Sequence, residues 1–78
     1  MKLFLLRNIE KSKLWEPWYD KAFGFVVSAE TPKEAREVAS KQCGNEGEEA
    51  WINDENSTCI ELKPSKKKQV IIRDFAAA

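Results

Sequence analysis

The stretch Phe23 to Gly44, FGFVVSAETPKEAREVASKQCG, decides the fold, because a strand pattern in its first part runs directly into a helix pattern. Every second residue at its start carries an apolar or small side chain, which predicts a strand with one buried face. The residues on that face are Phe23, Phe25, Val27 and Ala29.

The helix pattern opens with a capping box, in which Thr31 is the N-cap and Glu34 stands three residues later. Pro32 occupies the first helical position, where its missing N–H costs nothing. Small side chains then recur at helical spacing and predict an inward stripe that lets the helix lie close to a sheet. They are Ala35, Val38, Ala39 and Cys43, and Gly44 is predicted to end the helix in the left-handed conformation.

Three further segments predict strands before and after this unit. They are Lys2 to Leu6, Thr58 to Leu62 and Val70 to Phe75. The predicted order is therefore β-β-α-β-β, an α+β fold with one helix packed on a mostly antiparallel four-stranded sheet. If the helix joins the second and third strands in the usual right-handed sense, these two strands run parallel.

One helix covers only one face of such a sheet. The other face must be covered by a loop, by a second copy of the chain in a homodimer, or by a protein partner. The loop candidate is the long connection from Arg7 to Lys21, which contains Trp15, Trp18 and Tyr19. These aromatic side chains either enlarge the core of a small domain or form an exposed platform that binds a protein partner.

The length and composition indicate one small domain over residues 1–78, with residues 76–78 as a frayed tail. Hydrophobic residues make up 42% and charged residues 33%, as in ordinary soluble globular domains. No apolar run approaches the ~20 residues that span a bilayer, and residues 1–6 are too short for a signal peptide. We therefore expect a cytoplasmic protein that does not enter membranes.

The charges balance overall, with 13 basic and 13 acidic residues, but they are segregated along the chain. The segment from Glu46 to Glu55 is acidic, and we expect it to steer encounter with a basic surface of a protein partner. The carboxylates predicted to contact that partner are Glu48, Glu49, Asp54 and Glu55. A basic segment follows, which is either a solvated hairpin tip or a phosphate-contacting finger that uses Lys63, Lys66, Lys67, Lys68 and Arg73.

Residue types that support catalysis are few in this chain. It contains no histidine, which excludes His-activated nucleophiles and nearly every catalytic zinc site. We expect Cys43 and Cys59 to be buried small hydrophobes and not a disulfide or a metal pair. Asp54 and Glu55 lie in a predicted turn that lacks the glycine and the spaced glutamate of a calcium loop. We therefore predict no catalytic residue, no metal site and no cofactor.

Several short segments form a pattern that covers almost the whole chain. They are KLFLL at residues 2–6, WYD at 18–20, GFVV at 24–27, AETPKEAREVA at 29–39, the spacing W-x-x-D-x-x-S-T-C at 51–59 and VIIRDFAAA at 70–78. This pattern resembles a family of short uncharacterised proteins encoded in bacterial and phage genomes. The resemblance implies a phage or bacterial intracellular setting and supplies no activity and no site residues.

Together these features predict a small non-enzymatic protein-interaction module whose partner contacts come from Trp15, Trp18, Tyr19 and the four acidic residues. In the setting that the resemblance implies, the protein is a phage-encoded modulator or inhibitor of a host or defence protein. The alternative is a nucleic-acid-binding protein that uses the basic hairpin from Lys63 to Lys68. Salt-dependent binding to oligonucleotides distinguishes this alternative from protein binding.

Overall fold

The computed structural model describes residues 1–9, 15 and 20–73. In this part of the chain two helices pack on one sheet of three antiparallel strands, so the protein is a small α+β domain. The elements in order are β1 (Lys2–Asn8), β2 (Gly24–Ala29), α1 (Pro32–Ser40), α2 (Glu49–Ile52) and β3 (Ser57–Leu62).

The first strand is the centre of the sheet, whose spatial order is β2-β1-β3. Leu5 of β1 lies opposite Val26 of β2 on one side and opposite Ile60 of β3 on the other. Both outer strands are antiparallel to β1 and therefore run in the same direction as each other. This is the relation expected for two strands joined through a helix, although β1 lies between them.

The four-stranded sheet and the order β-β-α-β-β are not confirmed. Val70–Arg73 form no strand, and the other two residues of the predicted fourth strand lie outside the described part of the chain. The predicted hairpin at Lys63 to Gln69 is therefore also not formed within residues 63–73. The side chains of Val70, Ile71 and Ile72 are exposed, and β-branched residues stabilise a strand only where neighbouring strands pack against them.

The start of α1 confirms the capping prediction. Thr31 has an extended backbone, and its Oγ1 accepts a hydrogen bond from the backbone N–H of Glu34 at 3.2 Å. Pro32 occupies the first turn, as expected. The end of the helix differs from the prediction, because α1 ends at Ser40 with Lys41 as its C-cap.

Gly44 does not form a left-handed cap, so that prediction is wrong. Among the described glycines only Gly47 has a positive φ, of 84°. Gly44 instead passes against the backbone of residue 20, where a Cβ atom would overlap the carbonyl oxygen of Asp20. The same carbonyl accepts a hydrogen bond from the N–H of Asn45 at 2.7 Å. A glycine is therefore required at position 44 by close backbone approach and not by helix termination.

The residues that α1 buries agree only in part with the predicted stripe. Ala35 and Ala39 are fully buried, whereas Val38 is 47% exposed. The helix α2, which the sequence pattern did not predict, packs against α1 on the side of Arg36 and Ser40. Val38 lies on the opposite side of the Ala35–Ala39 stripe, because successive helical residues are about 100° apart. The second helix therefore selects which side of α1 is buried.

Trp51 lies at the centre of the core and is fully buried. Its ring meets Phe25 edge-on with the centroids 4.9 Å apart, and it meets Trp15 with the centroids 5.2 Å apart. The indole Nε1–H donates to Oε2 of Glu46 at 2.7 Å. Edge-to-face packing and a satisfied indole N–H are the conditions under which a buried tryptophan stabilises a core.

The carboxylate of Glu46 is 5% exposed and connects three parts of the chain. Besides binding Trp51, its Oε1 accepts hydrogen bonds from the backbone N–H groups of Ala22 at 3.1 Å and Gly44 at 2.9 Å. These three donors join the chain before β2, the turn after α1, and α2. A buried carboxylate is tolerated because its oxygens are occupied by N–H donors.

Arg36 makes a second connection, between α1, α2 and β3. Its Nη1 donates to the carbonyl oxygen of Trp51 and to Oγ of Ser57, both at 2.9 Å, and its Nη2 donates to the carbonyl oxygen of Ser57 at 3.0 Å. Trp15 also contacts this region, where its Nε1 donates a hydrogen bond to the carbonyl oxygen of Asn56 at 3.0 Å. No buried side-chain nitrogen or oxygen in the described residues lacks a hydrogen-bond partner.

We expect Glu46→Gln to lower the free energy of unfolding by about 1 to 3 kcal/mol. An amide has only one acceptor oxygen, so either the indole N–H of Trp51 or the backbone N–H groups of Ala22 and Gly44 lose their acceptor. Glu46→Ala removes the acceptor for all three donors and has a larger effect. Urea unfolding followed by tryptophan fluorescence measures both changes. The matched control is Glu48→Gln, the same substitution at an exposed position, which should stay within about 0.5 kcal/mol of wild type. Equal effects at positions 46 and 48 would contradict the bridging role.

We expect Gly44→Ala to destabilise the protein more than Gly47→Ala. At Gly47 an added Cβ meets open space, so alanine there costs only the strain of a positive φ, about 1 to 2 kcal/mol. At Gly44 the added Cβ displaces backbone near Asp20 and breaks the hydrogen bond from Asn45. Thermal unfolding of both variants gives the order, and the reverse order would refute the close approach.

Candidate functional site

The two helices cover one face of the sheet and leave the other without a helix. The covered face carries Phe4, Leu6 and Val27, which pack with α1 and α2 in the core. The other face, here called the outer face, is defined by the strand register, because residues paired directly across antiparallel strands share a face. It consists of Leu3, Leu5 and Arg7 of β1, Gly24, Val26 and Ser28 of β2, and Thr58, Ile60 and Leu62 of β3.

The outer face is apolar, and its aliphatic side chains on the two edge strands are accessible. Val26, Leu5 and Ile60 form a row straight across the three strands. Val26 is 58% exposed and Ile60 is 56% exposed, while Leu5 between them is buried. Leu3, in the next row, is 50% exposed. Isolated apolar side chains on a surface are ordinary, but adjacent ones on three neighbouring strands form a patch of the kind that marks a contact surface.

A pocket of about 290 Å³ opens on the β2 side of this face. It is lined by residues 23–26 together with Leu5, Arg7 and Ile72. The side chain of Arg7 crosses β2 at Gly24, where no side chain occupies the space. A Cβ at that position would lie 3.1 Å from Cδ of Arg7, which is closer than an ordinary van der Waals contact. The pocket therefore has apolar walls and one guanidinium group, which is half-buried.

The structure separates the residues that the sequence pattern had grouped as a partner site. Trp15 is only 3% exposed and packs between Phe23 and Trp51, with ring centroids 5.8 and 5.2 Å away. Its side chain is therefore part of the core, and an exposed platform at Trp15 is excluded. Trp18 and Tyr19 lie outside the described residues.

The four acidic candidates are exposed and lie around α2. Glu48 and Glu49 are at its start, and Asp54 and Glu55 are in the turn that follows it. Because α2 packs on the covered face of the sheet through Trp51, these carboxylates lie on the side of the protein away from the outer face. The acidic group and the apolar patch are thus two separate surfaces.

The basic candidates are exposed as well. Lys63, Lys66, Lys67, Lys68 and Arg73 all lie after β3 in residues without regular secondary structure. The N–H of Lys67 is bonded to Oγ of Ser65 at 3.1 Å, which is a local turn contact. Since no strand follows in residues 63–73, the sheet does not hold this segment in a fixed finger.

Both cysteines are free and half-buried. Burial raises the pKa of the Cys59 thiol, and the positive charge of Arg36 opposes this shift with a smaller effect. A raised pKa reduces the thiolate fraction and therefore the nucleophilicity of the side chain. In the part of the chain that the structure describes, no three His, Cys, Asp or Glu side chains are grouped so that they could hold a metal ion.

Comparison with known proteins adds no assignment: no family model, no curated protein and no solved structure matches this chain. Among the described residues, no helix has the length and the apolar composition needed to cross a bilayer.

The outer-face residues were not singled out by sequence reasoning, although the uncovered face itself was expected. The sequence of β1 did indicate an apolar outer face, because Leu3 and Leu5 are apolar and lie on the face opposite Phe4 and Leu6. Val26 and Ile60 are likewise apolar at alternate-face positions of their strands. Apolar residues on both faces indicated two covered faces, whereas the helices cover only one.

We expect Cys59 to be alkylated more slowly in the folded protein than in urea at the same pH. The reason is its raised pKa, which keeps the thiol protonated until the pH passes the ordinary thiol range. The measurement is the iodoacetamide reaction of a Cys43→Ala variant followed by mass spectrometry across alkaline pH. A folded-state rate profile that coincides with the profile in urea would show that the thiol is not protected.

Proposed function

We propose that this protein is a small non-enzymatic interaction module that binds a protein partner through the outer face of its sheet. The observation that supports the proposal is the exposure of three aliphatic side chains on this face, those of Leu3, Val26 and Ile60. The helices pack on the opposite face, so these side chains have no cover from α1 or α2. Covering them with an apolar partner surface releases water from all three strands at once.

The size of the face indicates a transient interface. Three strands about 4.8 Å apart and six residues long, at about 3.3 Å per residue, cover roughly 300 Å². Stable complexes bury about 800 Å² on each partner. The outer face therefore supplies the centre of an interface, and the partner also contacts its rim. The gain from burying three half-exposed aliphatic side chains is about 3 kcal/mol.

The chemistry of the face defines the partner. Arg7 is the one charged residue among the nine that the strand register places on it, and it lies at one end. The complementary surface is therefore apolar at its centre with a carboxylate at the edge that meets Arg7. The exposed acidic residues around α2 give the far side of the protein a negative charge. That charge lies away from the apolar row and Arg7, so it is not part of the contact that we propose.

The resemblance to short proteins of bacterial and phage genomes adds a setting to this proposal. In that setting the partner is a host or defence protein, and the module modulates or inhibits it by occupying an apolar contact surface. The host or defence partner is inferred only from the resemblance, because the outer face indicates the chemistry of a partner and not its biological origin.

We expect Val26→Lys and Ile60→Lys each to weaken partner binding about tenfold or more, because an ammonium group must then be buried in an apolar contact. The matched control is Val38→Lys, since Val38 is also an exposed aliphatic residue but lies on α1. Partners captured from a bacterial lysate by the wild-type protein are identified by mass spectrometry, and their affinities for the three variants are then measured by titration.

The outcomes separate the possible roles. Binding that is lost with lysine at positions 26 and 60 but retained with lysine at position 38 supports the proposal. Equal binding by all three variants contradicts it. A concentration-dependent increase in mass in sedimentation, abolished by Val26→Lys, would replace a foreign partner with a second copy of the chain.

Nucleic acid binding is a further outcome of the same experiment. A duplex oligonucleotide bound by wild type and by Val26→Lys, but lost when Lys66, Lys67 and Lys68 are changed together to Gln, would overturn the proposal in favour of the basic segment. Its affinity would then fall with salt by about 0.9 log unit per log unit of salt for each phosphate contact.

A further inference from the structure

The chain returns to the outer face after it leaves the sheet. The last strand, β3, ends at Leu62 on one edge of the sheet. Ile72 then lines the pocket at the other edge, together with Leu5 and Val26. Residues 63–73, here called the strap, therefore lead from one edge of the sheet to the other and bring an aliphatic side chain to the outer face.

The apolar surface beside the strap comes from the outer face. Leu5 and Val26 lie opposite each other in the strand register and share that face. The two phenylalanines of residues 23–25 also border the pocket, but their rings pack against buried tryptophans on the covered face. The side chains available to Ile72 are therefore the aliphatic ones of Leu5 and Val26.

The strap is held weakly. No hydrogen bond joins residues 63–72 to the sheet within the described part of the chain, and the one that they make is local, from the N–H of Lys67 to Oγ of Ser65. Ile72 is 44% exposed and a pocket of about 290 Å³ stays open beside it, so its packing is incomplete. Covering about half of an isoleucine side chain favours the closed position by a factor of roughly three to ten.

We propose that the strap is an autoinhibitory contact, in which Ile72 covers Leu5 and Val26 in the free protein and is displaced by an apolar group that occupies the outer face. The closed strap lowers the apparent affinity of this face, because only the open fraction of molecules binds. That a protein partner is the displacing group rests on the proposed function, whereas the contact and its release do not.

The test uses the full-length protein and Nile red, an uncharged dye whose fluorescence rises in apolar surroundings. Ile72→Ser removes the aliphatic group of the strap and leaves the sheet unchanged, so we expect the affinity for Nile red to rise about threefold or more. The matched control is Ile52→Ser, because Ile52 is 43% exposed but lies on α2. Adding Val26→Lys to Ile72→Ser should abolish the gain, since it removes the apolar surface that the strap uncovers.

Methyl NMR measures the contact directly in the same samples. In the free wild type we expect nuclear Overhauser contacts between the methyl groups of Ile72 and Val26, and we expect them to disappear at saturating Nile red. The proposal is overturned if these contacts are absent from the free protein or persist in the dye complex. Equal affinities of wild type and Ile72→Ser, an equal gain with Ile52→Ser, or a gain that survives Val26→Lys overturn it as well.

These measurements need no partner, so their failure is distinguishable from a failure of the proposed function. If the strap responds as expected but Val26→Lys leaves partner binding unchanged, the proposed function fails and the strap contact stands. If both hold, Ile72→Ser binds the captured partner about threefold more tightly than wild type, and Ile52→Ser does not.

Discussion

The hydrogen bond from the indole of Trp51 to the buried carboxylate of Glu46 is the contact on which the rest of the structure depends. Through its other oxygen, Glu46 also binds the backbone N–H groups of Ala22 and Gly44, so it positions the entry into β2 and the turn after α1. Trp51 in turn packs against Phe25 and Trp15. In a chain of 78 residues, where little surface can be buried, this arrangement concentrates the core around one large side chain.

Because the core forms on one side of the sheet, the two faces of the sheet have different surroundings. The buried aromatic rings, the buried carboxylate and both helices lie on the face of the sheet that contains Phe4 and Leu6. The outer face receives none of them, and Leu3, Val26 and Ile60 on it are consequently exposed. The lack of a helix on that face is thus the result of where the core forms, and it is the observation that supports the proposed contact through the sheet.

The sequence predicted the exposed apolar surface only in part. An uncovered sheet face was foreseen from the presence of one long helix, but the partner contacts were placed on aromatic residues, and Trp15 is in the core. The indole of Trp15 bonds to the carbonyl of Asn56, which is 41 positions away in the chain. No local pattern distinguishes such an aromatic residue from an exposed one, because its burial depends on a distant loop.

Local chemistry in the sequence by itself determined the α+β class, the alternation of β2 and the capped start of α1, since each depends on neighbouring residues and on the period of the backbone. Only the tertiary structure decided the remaining features. It limited the sheet to three strands within the described residues, left residues 70–73 outside it, formed α2 around Trp51 and turned Val38 to the surface. These features depend on contacts between distant segments, whose free energy is gained only when the segments are brought together, and a local pattern does not contain that information.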